Sequence, residues 1–85
     1  MDITSIEKFL DLKTKKSKLV IVHFNDRSTV TGIFIVTNDH EHLKSKNFWR
    51  MVNIKNIQTW EKTKNIELSR LFNGATFSRL TDGVQ

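Results

Sequence analysis

The densest run of residues able to do chemistry is Asp39-His40-Glu41-His42-Leu43-Lys44-Ser45-Lys46-Asn47-Phe48-Trp49-Arg50. His40 and His42 can bring two imidazoles to one side of an extended segment, and Asp39 or Glu41 can add an oxygen, a donor set that suits zinc or another transition metal. A loop histidine pair is more often simply solvated, and neither a metal site nor a cofactor is predicted. Lys44, Lys46 and Arg50 offer a second chemistry, because cations neutralise phosphates while an exposed ring stacks on a base. Strand alternation sends at least one of Phe48 and Trp49 inward; Phe48 is expected inside and Trp49 at the surface. The candidate nucleic-acid contacts are therefore His40, His42, Lys44, Lys46, Trp49 and Arg50.

Catalytic constellations are missing. The three glycines, Gly32, Gly74 and Gly83, are isolated, so no phosphate-cradling loop, nucleophile elbow or dinucleotide fingerprint exists. Asp39 and Glu41 are predicted in an open loop that would not tune them for acid–base work. No cysteine is present, which removes thiol nucleophiles, zinc-thiolate sites and disulfides together. The expected protein is not an enzyme.

Fourteen basic residues against nine acidic ones give a net charge of +5, a bias toward polyanions such as RNA, DNA or an anionic membrane. The first residues, Met1-Asp2-Ile3-Thr4, lack the basic leader of a signal peptide, and no apolar run approaches the roughly 18 residues of a membrane span. With cysteine absent, a cytoplasmic, non-membrane protein is expected. Its 85 residues form one small domain, 1–85, which buries only roughly 60–65% of its unfolded surface and has a thin core.

The elements that must hold the 39–50 segment read as follows. Ile3, Ile6, Phe9 and Leu10 fall on one stripe of a helix over 3–13, with Asp2 or Thr4 as its cap and Thr4 with Glu7 fitting a capping box. Lys13, Lys15, Lys16 and Lys18 make a basic linker. Strands follow at about 18–25 and 28–37, separated by Asn25-Asp26-Arg27-Ser28, residues that tolerate tight-turn conformations. Val20, Val22 and Phe24 form one face of this ribbon. Gly32, in mid-strand, marks a bend or a close backbone approach. Ile21, Ile33 and Ile35 lie on the opposite face and need a cover, either helix 3–13 or another subunit; with Trp60 they are the candidate interface residues.

After an exposed loop at 38–46, β-branched and aromatic residues predict strands at about 46–53 and 55–61. Leu68, Leu71 and Phe72 have helical spacing, with Asn65 as a cap and Gly74 as a stop, and predict a short helical turn before a last strand at 75–80. The rival reading makes Asn73-Gly74 a hairpin turn between strands 68–72 and 75–80. With the helical turn, the class is mainly β: a small, strongly bent, five-stranded antiparallel barrel with an N-terminal α-helix and a short helical turn before the last strand.

The pattern Val20-x-Val22-x-Phe24-x-Asp26-x-x-x-Val30-x-Gly32-x-Phe34 resembles the first signature segment of the Sm-like family, which includes the bacterial host-factor RNA chaperone. Asp39-His40-x-x-Leu43 extends the likeness, so that it covers about 24 of the 85 residues. The resemblance implies a bent barrel that assembles into a ring by pairing the fourth strand of one subunit with the fifth of the next, and that binds single-stranded RNA. The family's base-contacting loop would fall on His40, Glu41 and His42; members often carry an apolar or aromatic residue where Glu41 stands and an asparagine where His42 stands. Near Asn53-Ile54 the chain has neither the Arg-Gly pair nor the Tyr-Lys-His triplet of the family's branches. Two functions follow as expectations: a non-enzymatic nucleic-acid-binding barrel, with RNA first, or a protein-interaction and homo-oligomeric assembly module.

Overall fold

Val20, Val22 and their β-branched neighbours make a strand because alternate side chains can leave water together, and both valines are buried. This strand, β1 (Val20–Phe24), pairs antiparallel with β2 (Val30–Phe34) through Val20↔Gly32, Ile21↔Thr31 and Val22↔Val30. Gly32 lies opposite Asn53 of β3 (Phe48–Asn53), and a Cβ on it would run into the Val52 carbonyl. The glycine thus permits a close approach of two backbones. The structure is a computed structural model and describes residues 1–13 and 18–83. Lys15 and Lys16 of the predicted linker lie outside the described residues.

Two further strands, β4 (Ser69–Asn73) and β5 (Phe77–Asp82), complete one antiparallel sheet in the order β4-β3-β2-β1-β5. β5 runs along β1 from Val20↔Asp82 to Phe24↔Phe77, with an irregularity between His23 and Phe24. The sheet is open: β4 and β5 are its edges and do not pair with each other, so the predicted barrel is not closed by hydrogen bonds. A 3₁₀ turn, Gly74–Thr76, carries the chain from one edge to the other. It is held by the Gly74 N–H donating to the Asn47 carbonyl and the Asn25 N–H donating to the Thr76 carbonyl, at 2.7 and 3.1 Å. The Phe24 ring lies 5.7 Å from Phe72 on one edge strand and 5.5 Å from Phe77 on the other. Aromatic packing, not a strand ladder, fills the space between the edges.

The strand predicted at 55–61 is a helix. Asn53 accepts the Lys55 N–H and opens a 3₁₀ turn, Ile54–Asn56, which runs into α3 (Ile57–Thr63); an earlier helix, α2, spans His40–Ser45. Lys64, in the left-handed conformation at φ 53°, ends α3 with its N–H donating to the Trp60 carbonyl. Ile57 and Trp60 stand one turn apart on the same helix face and cover Ile33, Ile35 and Val52. Of the β-branched residues in 54–60, Ile57 serves this burial, while Ile54 and Thr59 are exposed. The helical turn predicted over 66–74 is also corrected: a 3₁₀ turn at Ile66–Leu68, capped by Asn65, leads into β4. Strands stand near both positions of the rival reading, yet they are not a hairpin, because β4 pairs with β3 and β5 with β1.

The helix predicted over 3–13 is α1 (Ile3–Lys13), and its cap is Asp2, whose carboxylate accepts the Ser5 N–H. Glu7, assigned to a capping box, reaches Lys44 instead. Ile6 is fully buried in the main core with Val20, Val22, Trp49, Met51, Phe77 and Leu80; Phe9 and Leu10 pack against it. The sheet is thus covered by α1 on its core side and by α3 on the other. No helix among the described residues is long and apolar enough to cross a membrane.

Candidate functional site

The predicted loop at 38–46 is largely α2, and the charges of Asp39 and Lys44 are paired within the fold. Asp39, just before the helix, makes no side-chain cap. Its carboxylate instead accepts from Arg50 Nη2 at 2.8 Å and Nε at 3.3 Å, and from the Thr37 hydroxyl. These donors, Arg50 first and Thr37 second, hold the Asp39 carboxyl far below the usual carboxylate range, and Asp39 in turn raises the Arg50 guanidinium. Lys44 Nζ lies 2.9 Å from Glu7 Oε2 and 3.4 Å from Glu41 Oε1, and its pKa is raised, most by Glu7. Both cations therefore meet carboxylates before any phosphate could reach them.

Trp49 is the main correction. It is only 3% exposed, shares the inward face of β3 with Met51, and leaves Phe48 half-buried. The predicted arrangement of the two rings is reversed, and Asn47, directly before β3, takes the left-handed conformation at φ 63°. Asn47 then accepts the Trp49 indole N–H at 2.8 Å, satisfying the one polar atom that the buried ring carries. Its amide nitrogen donates to the Met1 carbonyl at 3.0 Å. Sequence reasoning passed over Asn47; the available signal was an asparagine directly before an apolar strand, a type that tolerates positive φ.

The His40 ring packs edge-on against Trp49, 6.1 Å between centroids, and its Nε2 lies 3.9 Å from Glu41 Oε2. Of the six candidate contacts, only His42 and Lys46 are exposed. No group of three His, Cys, Asp or Glu residues among the described residues is placed to hold a metal ion.

The candidate interface residues divide. Ile33 and Ile35 are buried beneath α3 within the same chain, Ile21 is half-buried on β1, and Trp60 is half-buried with Lys64 Nζ 5.4 Å from its ring centre. The cover that Ile33 and Ile35 required is thus neither α1 nor a second subunit. Apolar surface does remain elsewhere: Leu71 on edge strand β4 is 48% exposed and Val36, just past β2, is 76% exposed. An apolar cleft of about 520 Å³ opens beside Val36, between Leu10 of α1 and Trp60 of α3. A smaller cavity of about 290 Å³ lies where the β1–β2 turn meets the start of β4, lined by Arg27, Lys55 and Arg70.

No family model matches the chain, and no curated protein and no solved structure matches it.

Proposed function

We propose that the protein is a non-enzymatic, divergent Sm-like module that assembles with further copies of itself through its two sheet edges. The observation that carries this reading is that β4 and β5 each pair on one side only and leave the other edge without a neighbouring strand among the described residues, with Leu71 exposed on β4. They are the two strands whose pairing between subunits the resemblance implies. An unpaired edge presents a row of backbone donors and acceptors that another strand can satisfy. Pairing β4 of one copy with β5 of the next is a head-to-tail contact, and such a contact repeats from copy to copy, giving a ring where the rotation between copies closes. Light scattering or native mass measurement tests it. An oligomer is expected for the natural chain, and Leu71→Lys, which sets a charge on the edge, is expected to give monomers of unchanged circular dichroism. A natural chain that stays monomeric at high concentration overturns the proposal.

Nucleic-acid binding, with single-stranded RNA as ligand, is the second reading. It is favoured by a surplus of free cations: Arg27, Lys55, Lys62, Arg70 and Arg79 make no ion pair among the described residues, in contrast to Lys44 and Arg50. On this reading the contact surface lies away from the 39–50 segment. Salt-dependent anisotropy with a labelled single-stranded RNA tests it, and an affinity that does not fall with salt counts against it.

A further inference from the structure

We propose that the cavity lined by Arg27, Lys55 and Arg70 binds a phosphoryl group, presented by a free nucleotide or by the backbone of a single-stranded nucleic acid. The polymer form rests on the second reading above; the free-nucleotide form does not.

The fold gathers these three cations from separate places. Arg27 comes from the turn between β1 and β2, Lys55 from the 3₁₀ turn after β3, and Arg70 from β4. None makes an ion pair among the described residues, and no carboxylate lines the cavity. Like charges around one concavity repel one another, and an entering anion turns that repulsion into attraction. In the 39–50 segment the opposite holds, since Arg50 and Lys44 are already neutralised by Asp39, Glu7 and Glu41.

Arg27 is also placed in advance. Its guanidinium carbon lies 5.0 Å from the centre of the Phe24 ring and 5.8 Å from that of Phe72. Both rings belong to the aromatic packing that joins the two sheet edges, so the platform beneath the guanidinium is packed against the core. A guanidinium seated over a ring keeps its N–H edge available for hydrogen bonds, and it loses less freedom on binding than an unsupported chain would.

The chemistry of the lining selects phosphate over carboxylate. Two guanidinium forks and an ammonium approach from three separate elements, which suits a tetrahedral group with several free oxygens better than a planar one with two. Asn53 and Asn56 add side-chain amides to the wall, while Met51, buried, and Phe72 give an apolar floor. A volume of about 290 Å³ admits a phosphate with an attached sugar and excludes nothing that continues outward as a chain.

The test uses the full chain and three probes: inorganic phosphate, a nucleoside 5′-monophosphate, and a fluorescent single-stranded oligonucleotide. On phosphate or nucleotide addition, the NMR signals of the Asn53 and Asn56 side-chain amides and of the Arg27 Nε–H are expected to shift in a saturable way. Arg27→Gln, Lys55→Gln and Arg70→Gln combined are expected to weaken binding roughly tenfold or more. For the oligonucleotide, the dependence of log Kd on log salt is expected to fall by about two charges. Lys62→Gln, an exposed cation on α3, serves as control and is expected to change little. Because Arg70 lies on an edge strand, the assembled mass is measured alongside; Lys55→Gln alone, in a 3₁₀ turn and not on a strand, must weaken binding in the same direction. Nucleotide binding that is lost in the triple variant assigns a small-molecule site, and binding confined to the oligonucleotide assigns the strand. An oligonucleotide that binds the triple variant as tightly as the natural chain overturns the site and leaves the nucleic-acid reading standing. If none of the three probes binds, both fail.

Discussion

Asp39 shows how one carboxylate can decide what a basic segment is free to do. By accepting two hydrogen bonds from Arg50 and a third from Thr37, it turns a candidate phosphate contact into a brace between the start of α2 and β3. The sign of its pH dependence follows from its lowered pKa. The contribution to stability is complete above the ordinary value, 3.8, and is lost as the pH falls below it toward the depressed folded value. Asp39→Asn is therefore expected to melt at a lower temperature than the natural chain at neutral pH, and thermal melts at decreasing pH should show that difference shrinking below about pH 4. A difference that stays constant through acid would show that the pair is electrostatically silent. The residues of this site were legible in the sequence as types, since the lysines, histidines and Arg50 stand out. Their partners were not: Glu7 lies 37 residues from Lys44, and no local pattern links the two.

At the scale of elements, the informative case is α3. Ile54 to Trp60 has strand composition, and a segment this short gives periodicity little room to choose between strand and helix. The stronger clue was the other half of the molecule, for Ile33 and Ile35 needed cover on the face turned away from the core. α3 supplies it through Ile57 and Trp60. Proline at Glu61, an exposed helix position, is thus expected to remove a helical hydrogen bond and cost about 3 kcal/mol, read from the denaturant midpoint. It should also raise the binding of a dye specific for apolar surface as Ile33 and Ile35 lose their cover. An edge strand would tolerate the same proline far better. The first two strands were readable because β-branched residues dominate them, the buried residues of β1 alternate, and Asn25-Asp26 punctuates the pair. β4 was harder, since its residues are mostly exposed and give the pattern little contrast.

For the whole molecule, the open sheet sets the terms. β1 to β3 form its middle, and β4 and β5 each pair on one side only. Amide hydrogen exchange should therefore find the slowest positions in β1 and β3, with faster exchange at the outward N–H groups of β4 and β5. As protein concentration rises, assembly through the edges predicts slowing confined to β4 and β5; uniform behaviour at all concentrations would argue against it. A five-stranded antiparallel sheet was legible from alternation and Gly32, but the barrel predicted for it is not closed, and the pairing of the first strand with the last left no local trace in the sequence. That pairing has a consequence for biosynthesis. His23 and Thr81, joined across β1 and β5 at 2.9 Å, stand 58 residues apart. A chain emerging from the ribosome must therefore keep one side of β1, its most apolar strand, unpaired until residues 77–82 have been made. During that interval the nascent chain carries an unpaired strand edge that the finished fold covers, and truncation before residue 77 is expected to leave that edge open and the chain prone to association.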